Sequence, residues 1–199
     1  MFFSGNVTLS FYAVDIFRMS TSGVNQYLSA IILGVIKLIG TIIFVPAVQY
    51  YSRRLLLCIS SFVMGLSLVV LAVVMYSRET GGTMGEKFEG LYWLPLLCIT
   101  LFMIADSIGL GSIPFLYVGE FFPSEMRSVM SGLTTGLSNL ELFLAVKTFP
   151  NLCNKMGDSG AFWLYAAVCF TAILFTLIFV PETRGKTLQV IRSDFVTNY

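Results

Sequence analysis

Three charged side chains lie deep inside apolar runs, and they are the natural starting point for chemistry. Lys37, Asp106 and Glu141 each sit mid-run. Lys37 is ten residues past Tyr27, where its run begins, roughly 15 Å along a helix. That is too deep for its ammonium to reach water easily. A charge in the middle of a membrane helix costs ~2.5–3.5 kcal/mol on insertion scales and is expected to face a bundle interior or a polar cavity. A lysine opposite a carboxylate there could bind a charged solute or carry a proton. The bland alternative is that the charges only neutralise one another. Substitution of Lys37 by Gln separates the two, because only a functional lysine alters the pH or charge dependence of uptake.

The composition requires such a setting. The chain has 199 residues, of which 56% are hydrophobic and 12% charged. A soluble domain carries about 25% charged residues, so this chain reads as a polytopic membrane protein, all-α. Net charge +1 leaves no basic footprint for nucleic acid. There is no histidine, which removes the commonest metal ligand and general base. Cys58, Cys98, Cys153 and Cys169 have no CxxC spacing and read as unremarkable thiols. With no nucleophile–base or metal constellation, neither catalysis nor a cofactor is expected.

A span needs ~20 apolar residues. Six candidates follow: Met1–Phe17, Tyr27–Tyr50, Leu55–Tyr76, Leu91–Val118, Val129–Phe149 and Ala161–Val180. The first run begins at Met1 with no flanking loop and reads as a truncated helix. Polar loops are expected at Arg18–Gln26, Ser77–Gly90 and Pro150–Gly160, and tight basic connections at Ser52–Arg54 and Gly119–Ser128. The basic connections and the tail place Arg53, Arg54, Arg127 and Arg184 on one side, the cytoplasmic one by the positive-inside rule. The third and sixth runs contain no charge and are expected to face lipid. Runs two, four and five are expected to line something polar, as two three-helix repeats would give.

Irregular backbone repeats on the same period. Ser4-Gly5-Asn6 interrupts the first run, and Gly109, Gly111 and Pro114 interrupt the fourth. Such breaks are tolerated at membrane depth only where they are packed in protein or line a cavity. At matching positions of two repeats they point to a midplane binding site. Gly132 and Gly136 give the fifth run a small-residue face for close helix contact. Asn6-Val-Thr8 has the form of a glycosylation sequon, but its place in a helix argues against use. Phe11, Tyr12, Phe115 and Tyr117 could form a stacking wall, although with 15% aromatic residues ordinary packing explains any one of them.

Two stretches carry a family resemblance. Gly119-Glu120-Phe-Phe-Pro-Ser-Glu-Met-Arg127 resembles the end of the tenth helix, and the loop after it, of the sugar-porter branch of the major facilitator superfamily. Val180-Pro-Glu-Thr-Arg-Gly-Lys-Thr-Leu188 resembles that branch's "PETKG" motif after the twelfth helix. Arg53-Arg54 resembles the "GRR" turn and Ile113-Pro114-Phe115 resembles "PIPW". Met156 to Trp163 is similar to insect facilitated trehalose transporters. The resemblance implies six transmembrane helices forming the C-terminal half of a twelve-helix transporter. Residues 1–191 would be the bundle and 192–199 a cytoplasmic tail. The partners implied are the lipid bilayer, a sugar such as trehalose or a hexose, and an N-terminal six-helix half. The expected location is the plasma membrane.

The resemblance also places the sites. Lys37, Asp106, Ser107, Phe115, Ser138, Asn139 and Glu141 are expected at the substrate cavity. Arg53, Arg54, Glu120, Arg127, Glu182 and Arg184 are expected at a cytoplasmic gate whose charge pairs bias a two-state equilibrium. The chain departs from the family at Met1, Phe2 and Val7, where the seventh helix carries amides. It departs again at Lys37, where the eighth helix has an amide, and at Phe115, where the motif has tryptophan. Ser112 stands for the first proline of "PIPW", and Gln49 and Ser52 replace gate residues. Much of the expected sugar-binding set is therefore absent. The alternative is a non-transporting membrane protein, a truncated or degenerate half that binds a partner.

Overall fold

The computed structural model describes Gly5, Leu9 and residues 26–80, 93–121 and 124–180, and every element it describes is a helix. They are α1 (Gln26–Tyr50), α2 (Arg53–Thr80), α3 (Trp93–Ile108), α4 (Ile113–Phe121) and α5 (Ser124–Phe179). Within them lie five stretches long and apolar enough to cross a membrane: Ile31–Tyr50, Arg53–Ser77, Leu94–Gly119, Met126–Gly157 and Ser159–Phe179. The first expected span, Met1–Phe17, lies outside the described residues except for Gly5 and Leu9. Five of the six expected spans are thus seen.

Helices are the natural form here because lipid offers no partner to backbone N–H and C=O groups. The hydroxyls obey the same constraint. Thr100, Thr134, Thr135, Thr171 and Thr176 each donate to the carbonyl four residues back, at 2.7–2.8 Å. Each polar side chain is thereby satisfied inside its own helix.

The connections are shorter than the sequence suggests. Ser52 caps α2, its Oγ accepting from Leu55 N–H at 3.3 Å, so only Tyr51 and Ser52 separate α1 from α2. Most of the loop expected at Gly119–Ser128 is helical, since α4 runs to Phe121 and α5 starts at Ser124. The loop expected at Pro150–Gly160 is not a loop. The helix continues through it, broken only at Gly157, whose φ of 76° an L side chain rarely adopts. Polar residues in that stretch were read as a turn; they sit on a helix that extends past the apolar span.

The core lies where α2 meets α3 and α5. On α2, Leu57, Met64, Leu68, Leu71 and Met75 recur at helical spacing and are buried, while Leu55, Ile59, Phe62 and Leu66 on the other face are exposed. Glycines set the closest approaches. A Cβ at Gly109 would lie 2.3 Å from Ser60 Cβ, so α2 and the end of α3 meet at a spot with room for no side chain. Gly40 of α1 lies against Ser107 of α3, and Gly65 of α2 against the Phe170 ring.

This packing reverses the expected role of one of the two charge-free runs, the third. In both Arg53–Ser77 and Leu94–Gly119, 56% of the residues across the most apolar stretch are buried. The figure is 28% in Ser159–Phe179, 11% in Ile31–Tyr50 and 6% in Met126–Gly157. The third run is central rather than lipid-facing. A helix without charges suits a protein interior as well as lipid, because lipid tails are as apolar as leucine.

Candidate functional site

The break between α3 and α4 falls where glycine and proline required it. Residues 109–112 form a turn. The carbonyl of Asp106 accepts from Gly109 N–H at 3.2 Å and from Gly111 N–H at 2.8 Å. Ser112 and Ile113 N–H both donate to Gly109 carbonyl, at 3.1 and 2.9 Å. Ser112 Oγ donates to Ser107 carbonyl at 2.7 Å. The interruption is thus stitched through its own loop. Pro114, in the first turn of α4, has no N–H to leave stranded.

Asp106 lies just before this turn and is 1% exposed. Neither of its carboxyl oxygens has a hydrogen-bond partner among the described residues. An unpartnered buried polar group costs ~1–3 kcal/mol, so this is the most expensive side chain in the described core. Gly111 makes room for it: a Cβ there would lie 3.1 Å from Asp106 Oδ2. Lys37 on α1 and Cys169 on α5 lie within electrostatic range of the carboxyl.

The other expected cavity residues divide. Ser107 is buried, donates to Met103 carbonyl at 2.9 Å and lies under Gly40 of α1. Lys37, expected to face the interior, is exposed on α1 instead. It lies on one of the two least covered spans, whose outward face sequence reasoning had no means of distinguishing from a lipid face. Phe115 on α4 is 44% exposed. On α5, Ser138 and Glu141 are half-buried and Asn139 is exposed. The structure brings Lys37, Asp106 and Ser107 into one neighbourhood, and no hydrogen bond reaches Asp106 from the α5 group. Of the proposed stacking wall, Tyr117 is buried, and Phe11 and Tyr12 lie outside the described residues.

The gate residues are also only partly joined. Arg53 and Arg54 open α2, both half-buried. Arg54 donates to the carbonyl of Leu177, among the last carbonyls of α5. Its described partner is therefore a helix end and not an acidic side chain. Arg127 is exposed near the start of α5, and Glu120 lies on α4. Glu182 and Arg184 lie outside the described residues.

One charge escaped the sequence reading. Lys147, on the fifth run, is exposed and lies 5.5 Å from the centre of the Phe143 ring, four residues back. The i, i+4 spacing of an aromatic and a lysine was the available signal. No disulfide joins the four cysteines, of which Cys98 and Cys169 are buried and Cys58 and Cys153 half-buried. Gly34, Gly132 and Gly136 have no neighbour among the described residues within 4 Å of a Cβ added to them. The small-residue face of the fifth run is therefore uncovered in this chain.

Comparison with solved structures gives the same architecture. The proton:xylose symporter XylE bound to 6-bromo-6-deoxy-D-glucose superposes with a TM-score of 0.78 at 24% identity, over 96% of this chain and 39% of XylE. Its inward-open conformation from E. coli gives 0.70 at 22% identity. At such identity the likeness is one of fold, that of a major facilitator. Trehalose transporter 1 of Drosophila melanogaster is 37% identical over 187 residues, covering 94% of this chain. Facilitated trehalose transporter Tret1 of Bombyx mori is 38% identical over 181 residues. The chain spans 21% of the length of the Drosophila relative and 35% of the Bombyx one. The sequence profile described as "Sugar (and other) transporter" matches residues 1–195. With a multi-pass helical fold and a match along nearly its whole length, the chain belongs to the sugar (and other) transporter family.

Proposed function

We propose that this chain is the C-terminal six-helix half of a sugar transporter working by alternating access, with trehalose or a hexose as its solute. The observation that carries the reading is the helix broken between Ile108 and Ile113, with Asp106 buried at the break. Discontinuous helices of this kind hold the midplane solute site of secondary transporters. The names of the relatives supply the solute class, and the expected location is the plasma membrane.

The other half would dock on α1 and the Met126–Gly157 arm of α5. These spans are the least covered, carry glycines with open space before them, and hold Lys37, Asn139 and Lys147 on exposed positions. Charges do not face lipid tails cheaply, so a second bundle and a water-filled cavity account for them better than lipid does. Lys37, Asp106, Ser107, Phe115, Ser138, Asn139 and Glu141 would then contribute to that cavity. Arg53, Arg54, Glu120, Arg127, Glu182 and Arg184 would hold its cytoplasmic end.

The test is uptake of labelled trehalose and glucose into vesicles by the chain combined with an N-terminal half, with and without Lys37→Gln. Uptake whose pH dependence changes in the variant supports the assignment. A combined protein that assembles and moves neither sugar makes the chain a non-transporting half.

A further inference from the structure

A cavity of about 310 Å³ opens on the outer side of the bundle, between the start of α2 and the end of α5. It is lined by Ser52, Arg54, Leu55, Cys58, Ile59 and Leu177. Its lining is mostly apolar. Ser52 and Arg54 lie at one end, at the turn between two membrane spans. Leu55 and Ile59, one turn apart on α2, form the wall that runs into the span, with Leu177 of α5 facing them. All three are about half exposed.

The depth of the polar end follows from its neighbours. Tyr50 and Tyr51, 72% and 56% exposed, precede Ser52 directly. Tyrosines collect at the headgroup level of a bilayer. Leu177 stands in the last turn before the final described span ends at Phe179. The mouth of the cavity therefore lies at the membrane–water boundary, and its apolar wall lies in the hydrocarbon.

The donors at this mouth are available to an anion. Arg54 spends one Nη on Leu177 carbonyl, and a guanidinium fork has further N–H groups to offer. Ser52 Oγ accepts from Leu55 N–H, which leaves its own O–H to donate. Below them the exposed apolar stripe continues along α2 at Phe62, whose ring meets Phe170 of α5 edge-on at 6.4 Å.

The geometry points to a binding site for an anionic phospholipid, with its phosphate on Arg54 and Ser52 and one acyl chain along Leu55, Ile59 and Leu177. Basic pockets between membrane helices at the headgroup level suit such lipids. The site shares Arg54 with the proposed cytoplasmic gate, but lipid retention can be read without any transport. A lipid held there bridges α2 to α5 at the contact that Arg54 already makes, and so fixes the end of the bundle where the arginine turn lies.

Native mass spectrometry of the full chain in detergent tests this, with titrations of phosphatidylglycerol, phosphatidylcholine of the same acyl chains, and free glycerol phosphate. The site predicts about fivefold greater retention of phosphatidylglycerol than of phosphatidylcholine, the factor expected for one arginine near a phosphate at ~1 kcal/mol. Arg54→Gln abolishes that preference. Ile59→Trp, which fills the apolar wall at an exposed position and leaves the arginine intact, lowers retention as well. It decides the matter alone if loss of the Arg54–Leu177 contact prevents the first variant from folding. Equal retention of the two lipids, a preference that survives Arg54→Gln, or phosphatidylglycerol retention unchanged in Ile59→Trp overturns the proposal. Displacement of the lipid by glycerol phosphate also overturns it, by making the site one for soluble anions.

Discussion

The α2–α3 pair and the pair formed by α1 and the Met126–Gly157 arm of α5 are all apolar enough to cross a membrane, yet they are packed in opposite ways. The first pair is mostly buried within this chain and the second is nearly bare. In the first, a glycine meets a serine where no side chain fits, at Gly109 and Ser60. In the second, Gly34, Gly132 and Gly136 meet nothing among the described residues. The charges divide in the same way. Lys37 and Lys147 are exposed on the bare pair, and Asp106 alone among the described charges is sealed inside the core. The first pair holds the bundle together. The second presents faces that this chain does not itself use.

The largest expected effect breaks the core. Gly109→Ala puts a Cβ 1.7 Å from Ser60 Oγ and 2.3 Å from its Cβ, a conflict at the upper end of the ~1–3 kcal/mol typical of overpacking. Thermal unfolding of the detergent-solubilised chain should shift down sharply, or the chain should fail to purify. The comparison is sharpened by Gly136→Ala, for which a shift outside ~0.5 kcal/mol would count against an open face.

A change of opposite sign is expected at Asp106. Asp106→Val removes an unpartnered buried carboxyl and should raise stability by ~1–3 kcal/mol, read from the same melting curves. A loss of stability would show that the carboxyl has a partner that holds the core together. Gly65→Ala should cost less than Gly109→Ala, because the Phe170 ring tip at 3.1 Å can shift. Its melting temperature should fall between those of the other two glycine variants. The smallest effect belongs to Lys37→Gln. The residue is exposed, so stability should stay within ~0.5 kcal/mol while the pH dependence of uptake changes. A large drop in melting temperature would mean that Lys37 is structural.

Much of this contrast was legible in the sequence, and its misreadings have one physical origin. Gly109, Gly111 and Pro114 announced the broken helix, and Ser52 to Arg54 announced the tight turn, because both rest on backbone rules that hold in any surroundings. The five described spans followed from length and apolarity. Which of them lies in the middle did not. Leu57, Met64 and Leu68 are as apolar as residues facing lipid, so the absence of charge in α2 could not tell protein neighbours from lipid tails. Lys37 is expected inward because charges avoid lipid, and it stands exposed on α1. A bundle that presents a face to a second bundle has another kind of outside. The stretch around Asn151, Asn154 and Lys155 looked like a loop because it is polar, yet it continues the helix until Gly157 breaks it.

The account turns on whether the bare pair is a docking face for a second six-helix half. The most direct measurement is sugar uptake by vesicles containing the chain alone and the chain co-purified with the N-terminal half of a trehalose transporter. The prediction is no uptake of trehalose or glucose by the chain alone, uptake by the joined halves, and loss of co-purification when Gly132 and Gly136 are both replaced by Leu. Uptake by the chain alone at the same rate, or joined halves that remain together with both glycines filled, would contradict it.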